Sequence, residues 1–509
     1  MPGGRPSLRF NVAANYVGQL YVAAINLLLL PVQIRLLGSE AYGLVGFFAM
    51  LSAWLQLLDL GLSPTLSRET AKYRAGALDA SSYLQLLHSA NAFFLLLGST
   101  AATLVFGLSG VISRRWLHGV SLTPTAVATA VALMGVVFAF RWQATLSRSV
   151  LVGLERQVWL NATNAAFATL RSVGVLAILR WVEPTPRAFF AYQAAVAALE
   201  LLVLRTIVGR SLGQGPAVRI RLSFAPLRNV AGFSLTVAMT SFLWISITQL
   251  DSLLLSKILP LAEYAWFAIA VMAANGITLL AGPIGQAAQP RLTYYSAVGD
   301  HGAFRRTYSD ITQLLAAIAL TASLAVAFGA RHLLWAWTGN AALADRTAPV
   351  LGFYAIGNGL LAVVAMTYYL QIARGDLRLH LRGNLVFAAL QLPFVVIATL
   401  RAGMLGAAVA WCVVNLAYLA IWSAIVHRRF LPGIHARWLV IDTLLPCLVG
   451  CIPLPLFWVL PWSSLGRLET AFALAGLLAL SVGMALISTR PARRLALAVL
   501  NHSNRREAM

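Results

Sequence analysis

Charged side chains stand inside several apolar segments of this sequence, where an isolated charge is costly. Asp59 lies in WLQLLDLGLSPTLSRETAKY before the apolar part of that segment ends, and Asp251 lies in another apolar run. Arg171 and Glu200 occur roughly 13 and 14 residues into two neighbouring runs. Because such charges need an opposite charge or water, these four residues are the first candidates for a functional site.

The composition identifies the environment of these charges. Of the 509 residues, 60% are hydrophobic and 11% are charged, and the mean hydropathy is +0.78. Runs of about 20 apolar residues, the length that crosses a bilayer, recur along the chain. The sequence therefore predicts an all-α polytopic membrane protein of about 14 transmembrane helices. The predicted spans are 11–37, 42–66, 82–108, 122–146, 158–181, 186–208, 228–258, 264–288, 308–329, 346–372, 382–400, 403–426, 438–460 and 466–489.

The positive charge follows the predicted topology. With a cytoplasmic N-terminus, 26 of the 38 Lys and Arg residues fall in cytoplasmic segments and 10 at outer helix ends. Lys and Arg accumulate on the cytoplasmic side of short loops, so we expect both termini in the cytoplasm. The net charge of +22 then serves topology and contact with anionic membrane lipids, and no nucleic-acid partner is expected.

Polar side chains form one stripe on each of two predicted helices. At 100° per residue the first stripe spans about 80° and the second about 120°. Polar groups facing lipid are costly, so each stripe faces water or protein. A sugar-binding cavity is one interpretation, and polar contacts between helices are the other. The first stripe holds Asn11, Asn15, Gln19, Asn26 and Gln33; the second holds Ser234, Thr240, Ser241, Trp244, Thr248, Asp251 and Ser252; Tyr368 is a cavity candidate on the tenth helix.

The intramembrane charges allow two interpretations each. Arg171 either pairs with Glu200 on the next, antiparallel helix or attracts a phosphate group, which a guanidinium binds through two parallel hydrogen bonds. Arg141 is a second anion-binding candidate, or it extends to a nearby helix end. Asp59 and Asp251 are candidates for binding a proton or Na⁺ that drives transport. For Asp59 the alternative is a cap on an interrupted helix, because Gly61 and Pro64 follow it.

An internal echo suggests duplication. At an offset of 222 residues, RLLGSEAY (35–42) aligns with KILPLAEY (257–264), so that Arg35 matches Lys257 and Tyr42 matches Tyr264; further on, Tyr73 matches Tyr295. The predicted organisation is therefore two pseudo-symmetric six-helix lobes. The lobes are an N-lobe, 1–208, and a C-lobe, 228–430, joined by a cytoplasmic linker, 209–227; residues 431–509 add helices 13 and 14 and a basic cytoplasmic tail.

The first 80 residues carry a family resemblance. The segments RLLG (35–38), EAYG (40–43), LDLGL (58–62) and RETA (68–71) resemble the N-terminal signature of bacterial polysaccharide flippases, the O-antigen and exopolysaccharide transporters of the multidrug/oligosaccharidyl-lipid/polysaccharide exporter superfamily. The resemblance implies two helical bundles around a central cavity in the bacterial inner membrane. It also implies that undecaprenyl-pyrophosphate-linked oligosaccharide crosses the membrane there by alternating access, and it makes the polymerase and glycosyltransferases of lipopolysaccharide or exopolysaccharide synthesis candidate partners.

The sequence offers no local enzyme signature. It has no Asp-x-Asp pair for a nucleotide-sugar metal site and no histidine pair at helix-ligand spacing, so we expect neither a metal nor another cofactor and no enzymatic activity. Two alternatives remain: a membrane-embedded polymerase or glycosyltransferase whose acids converge from separate helices, and a drug or cation exporter of the same superfamily. A cationic cargo favours an acidic cavity, whereas pyrophosphate favours a basic one.

Overall fold

A computed structural model describes residues 8–212, 225–376 and 378–494. Within these ranges the chain is helical and contains no β-strand. Thirteen segments of the described chain are long and apolar enough to cross a membrane. One of them, Arg378–Phe430, contains two of the predicted spans, and the helix breaks between these two spans at Ala402 and Gly403. The all-α polytopic architecture is confirmed.

The described chain forms two compact units, Met1–Ala265 and Trp266–Met509. In unit 1, α5 packs against α4 and α7, α1 packs along α6, and α8 packs against α2, α3 and α4. The helices of unit 1 are α1 (Leu8–Leu37), α2 (Ser39–Leu55), α3 (Leu62–Arg74), α4 (Ala80–Val111), α5 (Pro124–Gly153), α6 (Gln157–Trp181), α7 (Pro186–Leu212) and α8 (Ala225–Ile258), followed by the first residues of α9 (Leu261–Ala297).

Unit 2 is built around α13, which contacts α11, α12 and α14, while α19 packs on α11, α12 and α17. Its helices after α9 are α10 (His301–Leu315), α11 (Thr321–Phe328), α12 (Ala330–Thr338), α13 (Ala341–Ala373), α14 (Arg378–Ala417), α15 (Ser423–Phe430), α16 (His435–Arg437), α17 (Leu445–Cys451), α18 (Leu456–Val459) and α19 (Arg467–Ile487).

Several helices begin where the sequence supplies a cap. The side chain of Asp79 accepts hydrogen bonds from the amides of Ser81 and Ser82 at the start of α4, and Thr123 caps α5 directly before Pro124. These side chains satisfy amides that have no partner within the helix. Hydrophobicity therefore places the spans, and local hydrogen bonding determines where they begin.

The lobe boundaries predicted from the 222-residue echo stay a prediction. The contact-based units divide the chain at Ala265, which measures compactness and does not compare the two repeats. Most of the predicted linker and the end of the predicted tail, 213–224 and 495–509, lie outside the described residues.

Candidate functional site

Glu200 is the centre of a charged cluster in unit 1. It lies on α7, is 0% exposed, and accepts a hydrogen bond from Arg171 Nη1 of α6 at 2.8 Å. Its other carboxylate oxygen pairs with Arg148 of α5. The Arg171–Glu200 pair expected from helix depth is thus present, but a second arginine shares the carboxylate.

Arg141 extends the cluster without a carboxylate of its own. Its Nη2 donates to Oε1 of Gln193 at 3.2 Å, and its guanidinium carbon lies 5.5 Å from the centre of the Phe48 ring. Its Nε is buried and has no hydrogen-bond partner in the described part of the chain. A neutral amide and an aromatic face therefore hold this guanidinium.

The spacing along α5 and α7 explains the arrangement. Arg141 and Arg148 are seven residues apart, as are Gln193 and Glu200, and residues at this spacing lie on one face of a helix. The packed helices consequently form two successive contacts, Arg141 with Gln193 and Arg148 with Glu200. Gln193 also donates to the backbone oxygen of Arg171 at 3.4 Å, which ties α6 into the same cluster.

The cluster carries an excess of positive charge. We define the arginine cluster as Arg141, Arg148 and Arg171 with Glu200 and Gln193; three guanidinium groups and one carboxylate leave two positive charges unneutralised. The side chains of Arg148 and Arg171 are 30% and 19% exposed, so they are not sealed from solvent or from a ligand. Even half-buried positive charge without a counter-charge is costly, and an anion would offset that cost.

The polar stripe of α1 contacts protein over part of its length. Asn26 accepts a hydrogen bond from the hydroxyl of Ser172 on α6 at 2.9 Å, although the Asn26 side chain remains exposed. Gln19 is exposed as well. The side chains of Asn11 and Asn15 lie outside those that the structure describes. Asn26 thus contacts α6 at the residue that follows Arg171 in sequence.

The polar stripe of α8 also contains both exposed and buried side chains. Ser241 and Trp244 are exposed, Trp244 by 55%. The Thr248 hydroxyl donates to the Trp244 backbone oxygen at 2.9 Å, and Asp251 is only 7% exposed and accepts from the Ser252 amide at 2.6 Å. The exposed stripe is therefore confined to the middle of α8.

In unit 2, Tyr368 is 38% exposed, with its ring centre 4.7 Å from that of His380. The polar residue Asn358 on the same helix, in contrast, is buried in a network in which it accepts from Trp411 at 3.0 Å and donates to Asn275 at 3.2 Å. Of the two residues, Tyr368 is therefore the more exposed.

Asp59 stands at a break between α2 and α3. Leu60 and Gly61 both adopt the left-handed conformation, with φ of 47° and 72°. The Asp59 carboxylate accepts from the Ser63 amide at 3.1 Å and from its hydroxyl at 2.7 Å. It thus satisfies a free amide in the first turn of α3, as the capping interpretation expects.

The packing at position 61 requires a glycine. A Cβ atom there would lie 2.3 Å from the backbone oxygen of Ser234, and the Ser234 hydroxyl also bonds to that of Thr65 at 2.7 Å. The break therefore packs against the Ser234 end of α8. Asp251 lies 17 residues further along the same helix, about 25 Å away, so Asp59 and Asp251 do not form one carboxylate pair.

The sequence does not single out Arg148 or Gln193, because Arg148 lies beyond the predicted span 122–146 and one glutamine in an apolar helix forms no pattern. The repeated seven-residue spacing was the available signal. For metals, the described residues contain no group of three His, Cys, Asp or Glu side chains placed to hold an ion.

Comparison with solved structures places this fold among flippases and multidrug exporters. Over 93% of this chain and 97% of the other, it superposes on "Lipid II flippase MurJ, inward closed conformation" with a TM-score of 0.71 at 12% identity. An inward-facing multidrug resistance MATE family transporter of the MOP superfamily matches over 81% of this chain and 98% of its own, with a TM-score of 0.59 at 14% identity.

A MOP superfamily transporter from Pyrococcus furiosus, whose structure is described as having a binding pocket of reverse polarity, matches over 82% of this chain and 95% of its own, with a TM-score of 0.54 at 15% identity. No curated protein sequence matches this chain significantly. The structural similarities define the class: a polytopic helical membrane protein with the fold of the MOP superfamily.

A comparison of the sequence with protein-family models identifies one family within this class. The family model described as "Polysaccharide biosynthesis protein" matches residues 8–296, which is more than half of the chain. The protein belongs to this family, as the N-terminal resemblance indicated.

Proposed function

We propose that this protein is a flippase that moves an undecaprenyl-pyrophosphate-linked oligosaccharide across the bacterial inner membrane by alternating access, driven by an ion gradient. The fold and the family support a transporter of lipid-linked glycan or a related exporter. The observation that carries the proposal further is the excess of two positive charges in the arginine cluster. An anionic cargo offsets that excess, whereas a cationic drug would be repelled by it.

Within the cluster, Arg141 is the primary contact for the pyrophosphate. Arg148 and Arg171 already share Glu200, but within the described residues Arg141 contacts the Gln193 amide and the Phe48 ring and no carboxylate, so binding phosphate to it breaks no ion pair. A guanidinium suits this role because it stays charged and binds two phosphate oxygens at once. Arg171 then supports the site by orienting Gln193 through its backbone oxygen.

The oligosaccharide meets the polar stripes. Sugar hydroxyls bind amides, hydroxyls and aromatic faces, and the exposed candidates of those types are Gln19, Asn26, Ser241, Trp244 and Tyr368; Asn15 and Thr248 lie on the same two stripes. Asp59 and Asp251 remain separate candidates for the coupling ion. The partners consistent with this activity are membrane lipids and the enzymes that build and polymerise the glycan, and both termini lie in the cytoplasm.

The test compares Arg141→Gln with Arg141→Lys in cells that depend on this protein for surface polysaccharide. We expect Arg141→Gln to lower export at least tenfold, the effect of losing one charge-assisted hydrogen bond, and to leave lipid-linked oligosaccharide on the cytoplasmic leaflet. Arg141→Lys keeps the charge, loses the planar donor pair, and should retain part of the activity. Arg187→Gln, at a predicted outer helix end, is the matched control. Normal export by Arg141→Gln at normal protein level would refute the role of Arg141.

A membrane-embedded polymerase or glycosyltransferase is the second candidate, and the two activities differ in their product. A purified flippase reconstituted in vesicles changes the leaflet of its lipid-linked substrate and leaves the glycan length unchanged. Growth of the glycan without translocation would favour the enzyme.

A further inference from the structure

The N-terminus of α2 carries a carboxylate that is bound by a neighbouring loop. Glu40 lies in the first turn of α2 and accepts hydrogen bonds from the backbone amides of Val120 at 2.6 Å, Ser121 at 2.8 Å and Leu122 at 3.2 Å. The Ser121 hydroxyl is a fourth donor. Three consecutive amides converging on one carboxylate form a preorganised anion site.

The same loop also holds the start of α9. The backbone oxygen of His118 accepts from the Leu261 amide at 3.0 Å, and His118 and Pro260 form an isolated β-bridge. Beside it, Trp116 Nε1 donates to the Ser256 hydroxyl at 3.0 Å. Glu40 therefore acts on the turn between α8 and α9 through loop 117–123.

Two glycines bring these segments into direct contact. A Cβ atom on Gly43 of α2 would lie 2.2 Å from the backbone oxygen of Leu261, and one on Gly119 would lie 2.7 Å from Oε1 of Glu40. Neither position accepts a larger residue without movement of backbone or carboxylate. The contact of α2, loop 117–123 and the α8–α9 turn is thus closely packed.

The two segments related by the 222-residue echo meet at this contact. RLLGSEAY leads into α2 and KILPLAEY leads into α9, and the matching tyrosines, Tyr42 and Tyr264, are both buried. At the same offset, the residue that corresponds to Glu40 is Ala262. The second copy has its carboxylate one position further on, at Glu263, and the hydrogen bonds to the loop are made by Glu40 of the first copy.

Two of the loop residues that donate these bonds are exposed at the surface. Val120 is 89% exposed and Ser121 is exposed as well, so water can replace the protein donors at little net cost. A closed contact whose donors water can replace has the properties that a gate needs.

We propose that Glu40 is a positioning residue that closes the predicted outer end of unit 1, by binding loop 117–123 and through it the α8–α9 turn, and that this contact opens in each transport cycle. The opening step rests on the proposed function. The closing role of Glu40 does not depend on any cargo, so the two can be tested separately.

The first experiment measures the access of a thiol reagent to position 261. Leu261 is 1% exposed, so Leu261→Cys in a background without Cys412, Cys447 and Cys451 reports opening of the contact. In nanodiscs, where both faces meet the reagent, we expect Glu40→Ala to raise the labelling rate at least tenfold and Glu40→Gln to give an intermediate rate. A labelling rate unchanged by Glu40→Ala would overturn the proposal.

Two controls separate closure from folding. Ser121→Ala removes one donor and leaves α2 unchanged, so its labelling rate should rise less than that of Glu40→Ala. Glu183→Ala alters an exposed acidic residue in another loop of unit 1 and should have no effect. If Glu40→Ala does not fold, a rate for Ser121→Ala and Glu40→Gln equal to that of the parent would overturn the proposal equally.

The second experiment locks the contact. Residues joined by a β-bridge lie close enough for a disulfide, so His118→Cys with Pro260→Cys should crosslink on oxidation, at a rate that falls at least tenfold when Glu40→Ala is added. The locked protein should not transport, and reductant should restore transport. Full transport by the locked protein would overturn the gating step. Absence of transport by every variant, the parent included, would count against the proposed function and would leave the labelling result intact.

Discussion

Replacing Glu200 by Gln leaves three guanidinium groups in one cluster without a carboxylate. The change keeps the size of the side chain, so it removes charge and little packing. Breaking a buried pair costs about 3–5 kcal/mol. The lower figure applies, because the two arginines that pair with Glu200 are 19% and 30% exposed and water screens them in part. At about 2–4 °C per kcal/mol for a domain of similar size, the melting temperature should fall by roughly 6–12 °C.

Two double variants test whether charge imbalance causes the loss. Arg171→Gln with Glu200→Gln, and Arg148→Gln with Glu200→Gln, each return the cluster to an excess of two positive charges and leave Arg141 in place. Because removing a whole buried pair is often tolerated, we expect both doubles to recover a large part of the lost melting temperature. Thermal unfolding of purified protein in detergent measures all four proteins under one condition.

The transport assay separates the two roles of the cluster. Both doubles should retain more export than Arg141→Gln at equal protein level, because Arg141 is the guanidinium without a carboxylate. If the double variants are no more stable than Glu200→Gln alone, the excess of positive charge does not cause the loss of stability. If they export no better than Arg141→Gln, the cargo contact is not specific to Arg141.

Three further predictions concern the break after α2 and the α1 stripe. Gly61→Ala should destabilise the protein by about 2–3 kcal/mol, measured by thermal unfolding, since its Cβ meets a backbone oxygen and φ is positive; Gly76→Ala, with φ of 74° and open space around it, isolates the conformational part and should cost only about 1 kcal/mol. Asp59→Asn keeps an acceptor for the first turn of α3, so it should lower the free energy of unfolding by less than about 1 kcal/mol. If transport by this variant no longer responds to the ion gradient, Asp59 binds the coupling ion; an unchanged response would exclude that role. Asn26→Cys should react with a small water-soluble thiol reagent in a Cys-free protein, and protection under every condition would show that this stripe serves packing alone.

The sequence by itself determined the class of protein and the approximate spans. Hydrophobic runs of membrane length leave little choice of structure, because a chain in lipid must satisfy its backbone hydrogen bonds within each helix. The antiparallel order of neighbouring spans was also enough to place Arg171 and Glu200 at one depth. The N-terminal segments also indicated the family. Three of their glycines, Gly38, Gly43 and Gly61, occupy positions where the backbone conformation or a close contact disfavours other residues.

Only the tertiary structure decided which charges meet and in what proportion. Helical periodicity specifies a direction around one axis but not the neighbour found there, so it could not show that Arg148 shares Glu200 or that Arg141 faces Gln193. Likewise, Glu40 and loop 117–123 are about 80 residues apart in sequence, and no local pattern links a carboxylate to three backbone amides. Such contacts depend on rotation and packing of whole helices, and they convert a list of intramembrane charges into an excess of positive charge at one place.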